Sequence, residues 1–130
     1  MTTTTTSTTS DYLVLSRGRW DAGKSPAEIQ RAIDDFYAWH DRLVAEGRMK
    51  TGSRLDVAAR LVSRAGVTDG PFTEAKEIVG GYWFFVAASL DEAVALAAQC
   101  PTLACGLQLE VRPLEAVKAR AVRPGNVTPV

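Results

Sequence analysis

A chain of 130 residues, 46% hydrophobic and 23% charged, suits one soluble domain built round one core. Its 15 basic and 15 acidic side chains cancel, which argues against a general electrostatic hold on nucleic acid or an anionic membrane surface. Two cysteines and one histidine are too few for a zinc centre, which needs about four ligands at recognisable spacing, so neither a metal nor a cofactor is expected.

The chain opens on "MTTTTTSTTS". This stretch has no basic n-region and no apolar h-region, so it does not read as a secretory signal. It cannot bury enough apolar surface to offset its ordering entropy, and residues 1–11 are read as a flexible arm. A phosphorylated or docking tail is the alternative. No apolar run approaches the ~18 residues of a membrane span, and the expected location is the cytoplasm. There the thiols of Cys100 and Cys105 stay reduced.

"DYLVLSRG" reads as a first strand over Tyr12–Leu15. A helix follows. Ser25 is its N-cap, Pro26 its first residue, Glu28 the partner in a capping box and Gly47 the stop. Ile29, Ile33, Phe36, Tyr37, His40, Leu43 and Val44 form its apolar stripe at 3.6-residue spacing. His40 is read first as a half-buried histidine with a hydrogen-bond partner. The second reading is an acid, base or ligand facing a cavity.

"RLDVAARLV" alternates as a second strand, with Leu55, Val57, Ala59 and Leu61 on one face. "SRAG" signals a turn, so the chain doubles back before Val67. "GGYWFFVAA" is a third strand with apolar residues on both faces: Tyr82, Phe84 and Val86 against Trp83, Phe85 and Ala87. A second helix runs from the Ser89 cap to Pro101, with Leu90, Ala93, Val94 and Ala97 inward. "GLQLEVRP" is a fourth strand, with Leu107, Leu109 and Val111 inward. Residues 114–130 form a tail with one helical turn at most.

Strand, helix, strand, strand, helix, strand is the α+β, ferredoxin-like (split βαβ) order, expected over residues 12–113. Two helices cover one face of such a sheet. The third strand's other aromatic face then needs a cover, since each aromatic buries roughly 150–250 Å² and monomers tolerate only a few hundred Å² of apolar patch. A homodimer packed sheet to sheet, with a cavity between the sheets, is the expected answer. The C-terminal tail folding over that face is the rival.

"TDGPFTEAKEIVGG" before the third strand reads first as a turn followed by a permissive Gly pair suited to a bulge. Its second reading is a site. Asp69, Glu74, Lys76 and Glu77 bring charge, and burial of a carboxylate among them would tune it for proton transfer. The candidate pocket is Asp69, Phe72, Lys76, Glu77, Trp83 and His40, with no catalytic residue assigned.

"VTDGPFTEAKEIVGGYWFF", "SLDEAVALAAQCP" and "LEVRP", in that order between Tyr12 and Pro113, resemble the DGPF-motif branch of the YCII-related proteins. The resemblance implies a dimeric α+β barrel. It also implies a largely undefined function and an association with alternative sigma factors of the extracytoplasmic type. The better-understood YCII branch uses a His–Asp pair. Its positions fall here near Phe36 and at Cys100, so that pair is not matched, and His40 lies one helical turn away.

Three functions follow as expectations. The first is a dimeric small-molecule-binding or accessory protein, with ligand near Asp69, Phe72, Lys76 and Trp83. The second is a lyase- or isomerase-type enzyme with Asp69 or Glu77 as base, Lys76 as stabiliser and His40 as partner. The third is an interaction module tied to a sigma factor.

Overall fold

The computed structural model describes residues 8–70 and 78–121. The elements run β1 (Ser10–Arg17), α1 (Pro26–Ala45), β2 (Met49–Arg54), β3 (Arg60–Ser63), β4 (Gly66–Asp69), β5 (Val79–Ala87), α2 (Leu90–Ala97), a short 3-10 helix (Pro101–Cys105) and β6 (Gln108–Pro113). Four strands form one antiparallel sheet in the order β2-β5-β1-β6, while β3 and β4 make a separate two-stranded hairpin. Without the hairpin this is the ferredoxin-like α+β arrangement that the element order implies.

α1 begins as its sequence dictates. Ser25 Oγ accepts from the Glu28 backbone N–H at 3.1 Å, and Glu28 Oε1 accepts from the Ser25 backbone N–H at 3.2 Å. Gly47, at φ 75°, takes the left-handed conformation that ends the helix. In α2, Ser89 caps the Glu92 backbone N–H at 3.1 Å.

One face of the sheet carries the core. Tyr12 and Val14 of β1 lie opposite Phe85 and Trp83 of β5, and Val111 of β6 lies opposite Val14. Trp39 and Leu43 from α1, and Ala93, Leu96 and Ala97 from α2, join them in a single buried cluster. Both helices therefore cover the same face. The side chains that do this differ in part from the expected stripes. Trp39 and Leu96 are buried, whereas Tyr37, Val44, Leu90 and Val94 are exposed. Each helix is rotated a fraction of a turn from the expected phase, so that its bulkiest inward residue meets Phe85 and its neighbours.

The second strand corrects the sequence reading. It is Met49–Arg54, not the alternating run from Leu55. β2 is an edge strand whose one buried side chain is Met49, so it lacks an apolar alternation. Leu55 to Ala59 form no strand, and Arg60–Ser63 pairs with Gly66–Asp69 across a turn at Arg64 and Ala65. The doubling back before Val67 is therefore present, but it serves the hairpin. From Leu114 to Ala121 the chain forms no helical turn, and Leu114 and Val117 stay exposed.

The sheet face turned away from the helices carries Leu13, Leu15, Tyr82, Phe84 and Val86, all half-buried. Ion pairs border it: Lys50–Asp11 at 2.8 Å and Arg17–Glu110 at 3.1 Å, with Arg112 3.5 Å from Glu110.

Candidate functional site

Two irregularities in the sheet shape a cleft. In β5, Gly81 pairs with Ser16 and Val79 with Arg17, so Gly80 is an extra residue in the ladder. In β2, Thr51 and Gly52 together stand opposite Trp83, a second extra residue. Such bulges bend a strand and re-aim its side chains. The backbones of β2 and β5 come so close here that a Cβ at Gly52 would strike the Tyr82 carbonyl. The Gly80-Gly81 pair thus has the role its sequence suggests.

Ser16, Gly80, Gly81 and Gly52 are small, and the space they leave at this end of the sheet lies beneath α1. The resulting cleft has a volume of about 750 Å³. Its aromatic walls are Phe36 and Tyr37 from α1, Trp83 from β5 and Trp20 from the loop after β1; Tyr82, whose side chain belongs to the other face of the sheet, borders it at the β2–β5 bulge. Phe36 and Trp83 stack at a tilt with centroids 5.1 Å apart. Gln30, His40, Thr51 and Thr102 supply polar groups, and the charged side chains on the described lining are Arg19 and Arg54. Trp83 is 6% exposed, and its Nε1 has no hydrogen-bond partner among the described residues.

His40 sits between two partners. Its Nδ1 is 2.9 Å from Asp41 Oδ1, and its Nε2 is 3.2 Å from Thr51 Oγ1. The imidazole is 14% exposed while Asp41 is 77% exposed, so the histidine belongs to the wall and the carboxylate to the surface. The hydrogen-bonded histidine expected from the sequence is present, and it also lines the cleft.

Of the six residues named from the sequence, the cleft unites His40 and Trp83. Asp69 stands apart on β4, exposed to solvent and 2.8 Å from Arg60 Nε. It borders a separate depression with Ala58, Ala59 and Gly70. Phe72, Lys76 and Glu77, with Glu74, lie outside the described residues. The cleft lies on the helix side of the sheet, whereas the sequence reading looked for a cavity between two sheets. Trp20, Thr51 and Arg54 were missed. Trp20 belongs to no periodic segment, and the other two sit on a strand too polar to be recognised. Among the described residues no three His, Cys, Asp or Glu side chains converge as metal ligands, and no helix is long and apolar enough to cross a membrane.

A family model, the YCII-related domain, matches residues 11–115. The chain belongs to the YCII-related family. Among solved structures, this YCII-related chain is similar to 5-chloro-2-hydroxyhydroquinone dehydrochlorinase (TftG) from Burkholderia phenoliruptrix AC1100, determined in complex with 2,5-dihydroxybenzoquinone. The two share 20% identity with a TM-score of 0.45, over 81% of this chain and 93% of the other. No curated protein matches.

Proposed function

We propose that this YCII-related protein, of the DGPF-motif branch, is a homodimeric binder of a small organic molecule, which it holds in the cleft beneath α1. The cleft itself carries this reading. A volume of about 750 Å³ falls within the ~300–1,000 Å³ of small-molecule sites, and apolar walls with a few convergent polar groups are their usual lining. Trp83 Nε1 supports it further, because a buried donor left without an acceptor costs roughly 1–3 kcal/mol. An acceptor atom on the ligand is the natural partner for that donor. The Arg54 guanidinium on the described wall favours an anionic or electron-rich ligand.

The dimer forms through the sheet face turned away from the helices. Leu13, Leu15, Tyr82, Phe84 and Val86 give it an apolar centre, and the ion pairs around it give a polar rim. That is the usual anatomy of a protein interface.

A thermal-shift screen with a library of small organic acids and their neutral analogues tests the binding. A ligand at about 100 times its Kd stabilises the native state by ~2.7 kcal/mol, a readily measured rise in Tm. Compounds that raise Tm in the wild type and fail to do so in Trp83→Phe support the reading. A library that shifts nothing contradicts it.

An acid/base enzyme of lyase or isomerase type, acting on the same ligand, is the second reading. The observation favouring it is His40, a proton acceptor on the cleft wall. Asp69, which the sequence offers as a base, sits on the hairpin outside the described lining of the cleft.

A further inference from the structure

We infer that the β3–β4 hairpin is a dimerisation arm, which lays Val62 and Val67 against the second copy of this chain at the border of the sheet-to-sheet contact. This rests on the reading of the protein as a homodimer.

The hairpin is an addition to the fold. The four-stranded sheet β2-β5-β1-β6 is complete without it. β2 and β5 are antiparallel neighbours, and such strands need only about 2–5 residues to connect them. The connection here runs instead from Leu55 to Ile78 and holds a hairpin of its own. A connection that meets only water is ordinarily polar. In this one Leu55, Val57, Leu61, Val62 and Val67 are 43–79% exposed in the single chain.

The cross-strand register sorts these side chains. Val62 lies opposite Val67 and Arg60 opposite Asp69, so the four share one face, while Leu61 and Thr68 share the other. The Arg60–Asp69 pair, at 2.8 Å, flanks the two valines. An apolar centre with a charged border is interface anatomy on a small scale.

Area argues for a second copy as the occupant. A stable interface takes about 800 Å² from each partner. Leu13, Leu15, Tyr82, Phe84 and Val86 are already half-buried in their own chain, and they offer roughly 300–400 Å² between them. The exposed apolar groups of the hairpin segment add roughly 300–500 Å². Together the two patches reach what the sheet face alone lacks. They are also continuous. The Leu55 N–H donates to the Gly80 carbonyl at 2.9 Å, so the arm leaves the sheet edge close to Tyr82, which borders that face. Two-fold symmetry then brings each protomer the other's arm.

The base of the arm is clamped. The Gly70 N–H donates to the Ala59 carbonyl at 2.6 Å, and a Cβ at Gly70 would stand 2.9 Å from that oxygen. With the Arg60–Asp69 pair, this holds the two strands together where the hairpin begins and ends. The Asp-Gly of the "DGPF" motif thus has a mechanical role.

Val62→Lys combined with Val67→Lys tests the arm. Both valines are exposed in the single chain, so the protomer keeps its fold. In sedimentation we expect the dimer Kd to rise at least tenfold. In the Phe84→Asp monomer we expect the two lysines to leave Tm unchanged, which separates contact with the partner from packing within the chain. Hairpin amides should exchange severalfold more slowly in the wild-type dimer than in Phe84→Asp, while still exchanging before those of β1 and β5. An unchanged dimer Kd, equal hairpin exchange in dimer and monomer, or a fall in Tm of the Phe84→Asp monomer overturns the arm and leaves the sheet-to-sheet dimer standing. A monomeric wild type overturns both.

Discussion

Ser25 and Glu28 satisfy each other's backbone N–H groups at the start of α1. Ser25→Ala removes one side of this box and should cost about 1 kcal/mol, read as a lower midpoint in urea unfolding. The bonds from the Ser25 backbone and side chain hold the Glu28 carboxyl below its ordinary range. A depressed carboxylate contributes stability above its unfolded value and loses it as pH falls through the folded value. Acid titration of stability should therefore be shallower in Glu28→Gln. Cys100 goes the other way: burial pushes its thiol up, against an opposing hydrogen bond with Thr102. The folded protein should lose that contribution as pH rises past the ordinary thiol range, and Cys100 should react with thiol reagents slowly until unfolding. The cap was legible in the sequence because a cap is local chemistry. The helix phase was not. α1 carries more apolar residues than one face holds, and only the packing against Phe85 selects Trp39 over Tyr37.

Elements of the fold differ in how much of them local pattern can reveal. β1, β5, β6 and both helices were readable, since each buries an apolar stripe or alternation. β2 was not, because an exposed edge strand made of Met49, Lys50, Thr51, Gly52, Ser53 and Arg54 is held by backbone pairing rather than by side chains. Its one indispensable residue is Gly52. Gly52→Ala would press a methyl into the Tyr82 carbonyl and should cost ~1–3 kcal/mol while disturbing the cleft. The β3–β4 hairpin is the opposite case, with apolar residues that remain exposed. An isolated two-stranded hairpin is marginal in water, so its amides should exchange with solvent well before those of β1 and β5. Asp69 belongs to this element. Asp69→Asn breaks an exposed pair with Arg60, should cost at most ~1 kcal/mol, and should leave binding in the cleft unchanged.

At the scale of the molecule, a ferredoxin-like sheet has two faces and two helices to cover only one of them. That asymmetry was visible in the doubly apolar "GYWFFVA", and it defines a face that no helix among the described residues covers. Phe84→Asp places a charge at the centre of this face, and sedimentation should show it converting a dimer to a folded monomer. A wild type that sediments as a monomer at micromolar concentration would contradict the dimer. The cleft was less legible, because it is made by bulges and small residues, which mark where side chains are missing rather than where they are. Two of its walls, Trp20 and Trp83, carry indole N–H groups, while the third tryptophan, Trp39, lies in the core with its Nε1 3.4 Å from Gln99 Oε1. The most direct test of the binding claim is a fragment screen read on these three indole signals. Binding fragments should move the Trp20 and Trp83 signals, with Trp83 moving downfield as its proton gains an acceptor, and should leave Trp39 in place. Fragments that move Trp39 alone, or a screen in which neither cleft indole responds, would contradict it.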